Sequence, residues 1–190
     1  MTQLKQNTTD LDALIAKANV LPDAKNIHAI EDSLIKRTIT EYTNDRVTSI
    51  GQYAFYRNST IKSISFPSAA TISQCAFGNC SNLTDINFPL LKTLGAYALQ
   101  NCTSLKSVEF PSLTKMNTAP FTGCSKLTRI ILPGSNICIL GSATALSGTP
   151  IASGTGFVYV PDELVESYKA ESSWNNYVAQ IKPMSELEET

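Results

Sequence analysis

The sequence predicts an α/β solenoid, a right-handed coil of 22-residue repeats with one face of parallel strands and helical caps at its ends. Two observations carry this. Apolar residues recur every 22 positions over residues 50–133: Ile50, Ile72, Leu94 and Met116; Phe55, Phe77, Leu99 and Phe121; Ile61, Leu83, Leu105 and Leu127; Ile64, Ile86, Val108 and Ile130; Phe66, Phe88, Phe110 and Leu132. A proline closes every unit, at Pro67, Pro89, Pro111 and Pro133. A unit this short buries its apolar face only by stacking on its neighbours.

Each unit divides into a strand and a return. In "LTDINFP" (Leu83 to Pro89), Ile86 and Phe88 alternate with Asn87, as a strand with one buried face should. The proline has no N–H to give a parallel ladder, so the strand stops there. The return carries Ile72, the small–large pair Ala76-Phe77 and Cys80, and Leu91 and Leu113 add a further inward position. Equivalent residues of adjacent coils should lie about 4.8 Å apart, so the core becomes columns of like residues. A polar residue placed in a column is expected to cost several kcal/mol, since it leaves an unpaired group between two neighbours.

The stretches "ISQCAFGNCSNLTDINFP" and "LGAYALQNCTSLKSVEFP" share the pattern IxxxAFxxCxxLxxIxFP, with Leu94, Leu99 and Val108 standing for Ile, Phe and Ile in the second. That pattern resembles the BspA-like group of bacterial leucine-rich repeats, over residues 47–161. The resemblance implies a leucine-rich repeat fold and a surface or secreted binding protein, with no catalytic set to carry over. The sequence departs from the most familiar leucine-rich repeat in placing its Cys before the strand, and the fourth unit reads Pro120-Phe121 where the others read Ala-Phe or Ala-Leu. The segments "SGTPIASGTGFVYVPDELVESYKAESSWNNYVAQIKP" and "NTTDLDALIAKANVLPDA" are also similar to parts of leucine-rich repeat proteins encoded in prophages, which would imply a phage-particle or host-surface role.

Taken in order, residues 1–46 read as an N-terminal helix and capping coil. Residues 8–20 predict a short amphipathic helix with Leu11, Leu14, Ile15 and Ala18 on one face, capped by Thr8 or Thr9 and ended by Leu21-Pro22. Residues 1–22 read equally as part of the cap or as an attachment segment. Ile39 and Tyr42 fall 22 residues before Ile61 and Ile64, which predicts a strand in "ITEYTND"; Asn44 takes the place of Phe66, as suits an end coil. Residues 47–161 form the solenoid. After Pro133 the period fails in a Gly-, Ser-, Ala- and Thr-rich stretch that predicts a degenerate fifth coil with a long loop. "FVYVP" (Phe157 to Pro161) restores a strand whose continuous apolar character predicts a covered edge. Residues 162–190 predict a helical cap and an acidic tail. Asp162 is a candidate N-cap, Leu164, Val165 and Tyr168 share one helix face, and Trp174, Tyr177, Val178 and Ile181 share the next.

Composition bounds the function. Charged residues are 16% and apolar ones 43%, so the chain folds; a net charge of −1 gives no footprint for nucleic acid or an acidic membrane. No apolar run approaches the roughly 20 residues of a membrane span. The start "MTQLKQNTTD" has no apolar core, so no secretory signal is read in this chain, and its compartment is left open between the cell surface, the exterior and a phage particle. Cys80, Cys102 and Cys124 form a column and Cys75 and Cys138 stand outside it. Without CxxC spacing they read as structural thiols, with no metal and no cofactor expected. His28 is the only histidine and lies outside the regular coils, which argues against a Cys–His nucleophile. No enzyme is predicted.

The binding expectation rests on the outward residues of the strands. Their rows are Lys62, Thr84, Lys106 and Thr128; Ser63, Asp85, Ser107 and Arg129; and Ser65, Asn87, Glu109 and Ile131. Short hydroxyls and alternating charges suit a protein partner, while the lack of aromatic rows weakens a glycan or nucleic-acid reading. The same rows read equally well as an ordinary soluble sheet face. The function expected is a non-enzymatic recognition module binding a protein partner through that face; the alternative is a cell-surface or phage-associated adhesion protein binding host protein or glycan.

Overall fold

Strand, proline stop and return alternate along the chain as the repeat requires. The computed structural model describes residues 26–27 and 40–187. Strands β1 (Asn26–Ile27), β2 (Glu41–Thr43), β3 (Ser49–Ile50) and β4 (Ser63–Ser65) open it. β5 (Thr71–Ile72), β6 (Asp85–Asn87), β7 (Thr93–Leu94) and β8 (Ser107–Glu109) continue. β9 (Lys115–Met116), β10 (Arg129–Ile131), β11 (Ile139–Leu140), β12 (Phe157–Val160) and β13 (Ile181–Pro183) complete the set. The return strands make one parallel sheet, β1-β3-β5-β7-β9-β11. The face strands make two, β2-β4-β6 and β8-β10-β12-β13, in which Ser63 pairs with Asp85 and Ser107 with Arg129, 22 residues apart.

The predicted columns are real. Ile50, Ile72, Leu94 and Met116 are buried, as are Ile61, Leu83, Leu105 and Leu127, and Phe66, Phe88, Phe110 and Leu132. Phe55 stacks on Phe77 at 5.0 Å and Phe66 on Phe88 at 5.7 Å. One column departs: Ile86 is half-buried where Ile64, Val108 and Ile130 are buried.

The return turns explain several residue choices. Tyr53, Cys75, Tyr97 and Ala119 have φ between 48° and 58°, and Arg57, Asn79, Asn101 and Gly123 have φ between 56° and 78°, two left-handed columns in register. The turns that hold Tyr53, Cys75 and Tyr97 thereby aim their N–H groups at the next coil: Cys75 donates to Ala96, Phe77 to Ala98 and Asn79 to Gln100, at 2.7–3.0 Å. Such φ values cost a non-glycine residue free energy, offset in those three turns by three inter-coil bonds each. Gly123 suits its place doubly, because a Cβ there would collide with the Asn101 side chain. Pro120 fits for a different reason. In the other coils the equivalent N–H makes only a long bond inside its own turn, 3.3 Å from Ala98 to Gly95, whereas the carbonyl takes the inter-coil bond, which Pro120 keeps with Leu99 at 2.9 Å.

At the first coil, β2 forms in "ITEYTND" and buries Tyr42 against Phe55 and Phe66. The helix predicted over 8–20, and Ile39, lie outside the described residues, as does His28. At the other end β11 pairs with β9, and the loop after it folds inward on Leu146 and Ile151. Four expectations are corrected there. β12 is not an edge: it lies between β10 and β13, and only Val158 and Val160 are buried, Phe157 and Tyr159 being half-exposed. Asp162 does not cap its helix; its Oδ1 accepts the Ser185 N–H at 3.0 Å, tying the tail back to the cap. The second helix, Ser172–Gln180, is 3₁₀ rather than α, with Glu171 accepting the Ser173 N–H at its start. Ile181 belongs to β13, where it extends the face sheet.

A 3₁₀ turn (Asp162–Leu164), helix α1 (Val165–Ala170) and the 3₁₀ segment close the return sheet. Among the described residues no further return strand follows β11; the Leu140 N–H of β11 donates to the Ser173 hydroxyl at 3.2 Å, and aromatic side chains take backbone groups on either side of the strand. The Cys138 N–H donates to the Tyr168 hydroxyl at 2.9 Å and its carbonyl accepts Trp174 Nε1–H at 2.7 Å. The Leu146 N–H donates to the Tyr177 hydroxyl, which itself donates to the Ala143 carbonyl at 2.8 Å. Tyr168, Trp174 and Tyr177 are buried, so the cap uses them for packing and edge closure together.

Candidate functional site

β-strands place alternate side chains on opposite faces, so each three-residue face strand sends its middle residue inward and its flanking residues out. Ser63, Ser65, Ser107 and Arg129 are half-exposed, and Lys62, Thr84, Asp85, Asn87, Lys106, Glu109 and Thr128 are exposed. Part of this polarity serves the coil itself. Thr84 and Thr128 hydroxyls reach the carbonyls of Lys62 and Lys106, at 3.0 and 3.3 Å, and Asn87 Nδ2–H donates to Ser65 Oγ at 2.9 Å. The Thr84 hydroxyl also lies 2.6 Å from Asp85 Oδ2, so its single proton serves one acceptor at a time.

The face is not continuous. Between β4 and β6 the N–H groups of Thr84 and Asp85 donate to the Lys62 carbonyl, and between β8 and β10 those of Thr128 and Arg129 donate to the Lys106 carbonyl. No pairing joins β6 to β8. On the return side of the same junction the coils stay bonded, with β7 paired to both β5 and β9. A groove of about 370 Å³ crosses the seam, lined by Ser63, Ser65, Thr84, Asp85, Asn87, Ser107, Glu109 and Ile131 from the predicted rows, with Ile64, Ile86 and Val108 beneath them. Lys62, Lys106, Thr128 and Arg129 stay outside the lining. Sequence reasoning missed both the seam and the exposure of Ile86. The pattern changes in the coil beyond the seam at Leu99, which interrupts the Phe55, Phe77, Phe121 column, and at Val108, which interrupts the Ile64, Ile86, Ile130 column.

The thiols are structural in position. All five cysteines are free and buried. Cys80, Cys102 and Cys124 Sγ–H donate to the carbonyls of Phe55, Phe77 and Leu99, at 3.1, 3.3 and 3.0 Å. Asn58 begins that column, and its Oδ1 accepts the N–H groups of Thr60 and Ile61. Hydrogen bonding to Cys124 and burial hold the Cys102 thiol well above its ordinary range. Burial pushes Cys138 from 9.0 up to about 12 and Tyr168 from 10.0 up to about 12. Among the described residues no three His, Cys, Asp or Glu side chains are placed to hold a metal ion.

A raised folded-state pKa favours the neutral form in the native state. The stability it contributes is complete below the unfolded value and is lost as pH rises toward the folded one. The urea midpoint is therefore expected to fall as pH rises from 9 toward 12, the window set by Cys138 and Tyr168. A midpoint that does not fall there refutes the assignment. In the native state at neutral pH a chromogenic thiol reagent is expected to leave the column unreacted, and to titrate it fully in denaturant.

A family model described as the BspA type leucine rich repeat region matches residues 33–153 in six copies. The chain is similar to a leucine rich cell surface protein from Faecalibacterium prausnitzii A2-165, with 25% identity and a TM-score of 0.55 over 74% of this chain and 35% of that one. It is also similar in fold to the leucine rich repeat protein of T. pallidum, with 24% identity and a TM-score of 0.52 over 63% of this chain and 58% of that one. The chain thus spans about a third of the first relative and over half of the second. No curated protein matches the sequence. No helix among the described residues is long and apolar enough to cross a membrane.

Proposed function

This chain belongs to the BspA-type leucine-rich repeat proteins, and from that premise we propose that it is a non-enzymatic recognition module binding a protein partner through its strand face. Leucine-rich repeat families are generally without catalysis and their modules generally bind proteins. The observation that carries the reading is the strand face itself, where the coil gathers hydroxyls, amides and both signs of charge from four repeats onto one side. Such a surface suits a partner recognised by hydrogen bonds and charge pairs. The finer architecture belongs to this proposal: a right-handed coil over residues 47–161, an N-terminal helix and capping coil over 1–46, and a C-terminal cap over 162–190.

A second reading, adhesion at the cell surface to host protein or glycan, draws support from the F. prausnitzii neighbour, which is described as a cell surface protein. Panning a library of random linear peptides against the immobilised chain, beside a glycan array, separates the two. Peptides that bind the native chain are expected to bind K106E/R129E about tenfold more weakly, the size of a lost pair of charge-assisted contacts. Unchanged affinity removes the strand-face assignment. Glycan binding without peptide binding replaces the first reading with the second.

A further inference from the structure

We propose that the groove at the β6–β8 seam is an anchor site for an arginine side chain carried by an extended segment of the protein partner. The inference rests on the strand-face reading and names the chemistry at its centre. The two strands have come apart without moving far: Cα atoms of β6 and β8 remain within 8 Å of one another. Inserting a further strand between them would need two strand spacings, about 9.6 Å, so the seam does not accept added backbone. It has room for a side chain, in a groove of about 370 Å³.

The lining selects which one. Ile86, half-exposed beside the parted ladder, is the apolar residue of β6 in the lining. Asp85 and Glu109 stand on the two sides of the seam, and no cation is part of the lining, since Lys62 and Lys106 stay outside it. Ser65 and Ser107 add hydroxyl acceptors. An arginine stem is apolar and suits Ile86, and its planar fork of donors suits carboxylates approached from two sides. A lysine would bring the charge without the fork. A bare metal ion would want more ligating groups than two carboxylates, and no cluster of three exists among the described residues.

The test uses the full chain and a short, end-blocked, fluorescein-labelled peptide of Gly, Ser, Thr and Val with one central arginine, beside the same peptide carrying neutral citrulline. At low ionic strength the arginine peptide is expected to bind about fivefold tighter by anisotropy, the scale of partly exposed charge pairs. D85N/E109Q, whose changes are both at exposed positions, is expected to abolish that preference while keeping the wild-type urea midpoint. Amide shifts on binding are expected at Asp85–Asn87 and Ser107–Glu109. Equal binding of the two peptides by the native chain, or a preference that survives D85N/E109Q, overturns the anchor site. The strand-face reading would then still stand on the K106E/R129E result. Arginine-peptide shifts confined to residues off the strand face would overturn the anchor and count against the face as well. A chain that binds arrayed glycans and neither peptide overturns it in favour of a sugar ligand.

Discussion

Replacing Trp174 with alanine is expected to lower the unfolding free energy by about 3–5 kcal/mol, the cost of deleting a fully buried large aromatic. Trp174 has no exposed surface, meets Tyr168 and Tyr177 edge-on at 5.5 and 6.4 Å, and supplies the donor for the Cys138 carbonyl. Its loss opens a cavity and strands a buried acceptor together. W174F keeps most of the bulk and removes only the donor, so it should cost less, about 1–3 kcal/mol for an unsatisfied carbonyl. Urea unfolding followed by circular dichroism checks both, since the alanine variant has no tryptophan to report fluorescence. Equal costs for the two variants would show that the hydrogen bond, and not the packing, dominates.

The second large effect is expected inside the coils. Phe77 stacks on Phe55 at 5.0 Å and lies 5.9 Å from Phe88 and 6.4 Å from Phe66, so it joins both aromatic columns. F77A should cost about 3–5 kcal/mol, whereas F77L, which places there the residue the next coil already has, should cost about 1 kcal/mol. The position lies in the coil that borders the seam, where the face strands no longer pair and the return side carries the junction. A stacked array is stable through its nearest-neighbour interfaces. Hydrogen exchange in F77A is therefore expected to show the coils of β2–β6 losing protection before those of β8–β12. Uniform loss across the chain would argue that the seam does not divide the fold.

Most of the coil was legible because a strict period constrains every position at once. Five apolar columns and a closing proline leave little freedom in where strand, return and core fall, and Cys80, Cys102 and Cys124 lie buried in their column as their spacing required. What escaped was set by interactions the period does not carry. Ile86 matches its column as well as Ile64 does, yet the ladder beside it is parted; pairing across one junction depends on how two whole coils settle, not on the identity of one residue. The cap was misread in detail for a related reason. Trp174, Tyr177, Val178 and Ile181 have helical spacing, but the pull of the open sheets wins: Ile181 joins the face sheet and the preceding residues tighten to 3₁₀ to bring Trp174 and Tyr177 over the return sheet. For the candidate site, the three outward rows were readable from alternation alone, and the groove that gathers eight of their residues was not.

The cap's three aromatic residues address main-chain groups: the Cys138 and Leu146 amides and the Cys138, Asn136 and Ala143 carbonyls. A terminator that bonds to backbone as well as packing on side chains rests only in part on the side chains of the coil it closes. The segment from Pro161 to Pro183 thus finishes the array by continuing the hydrogen bonding that each coil otherwise receives from its successor.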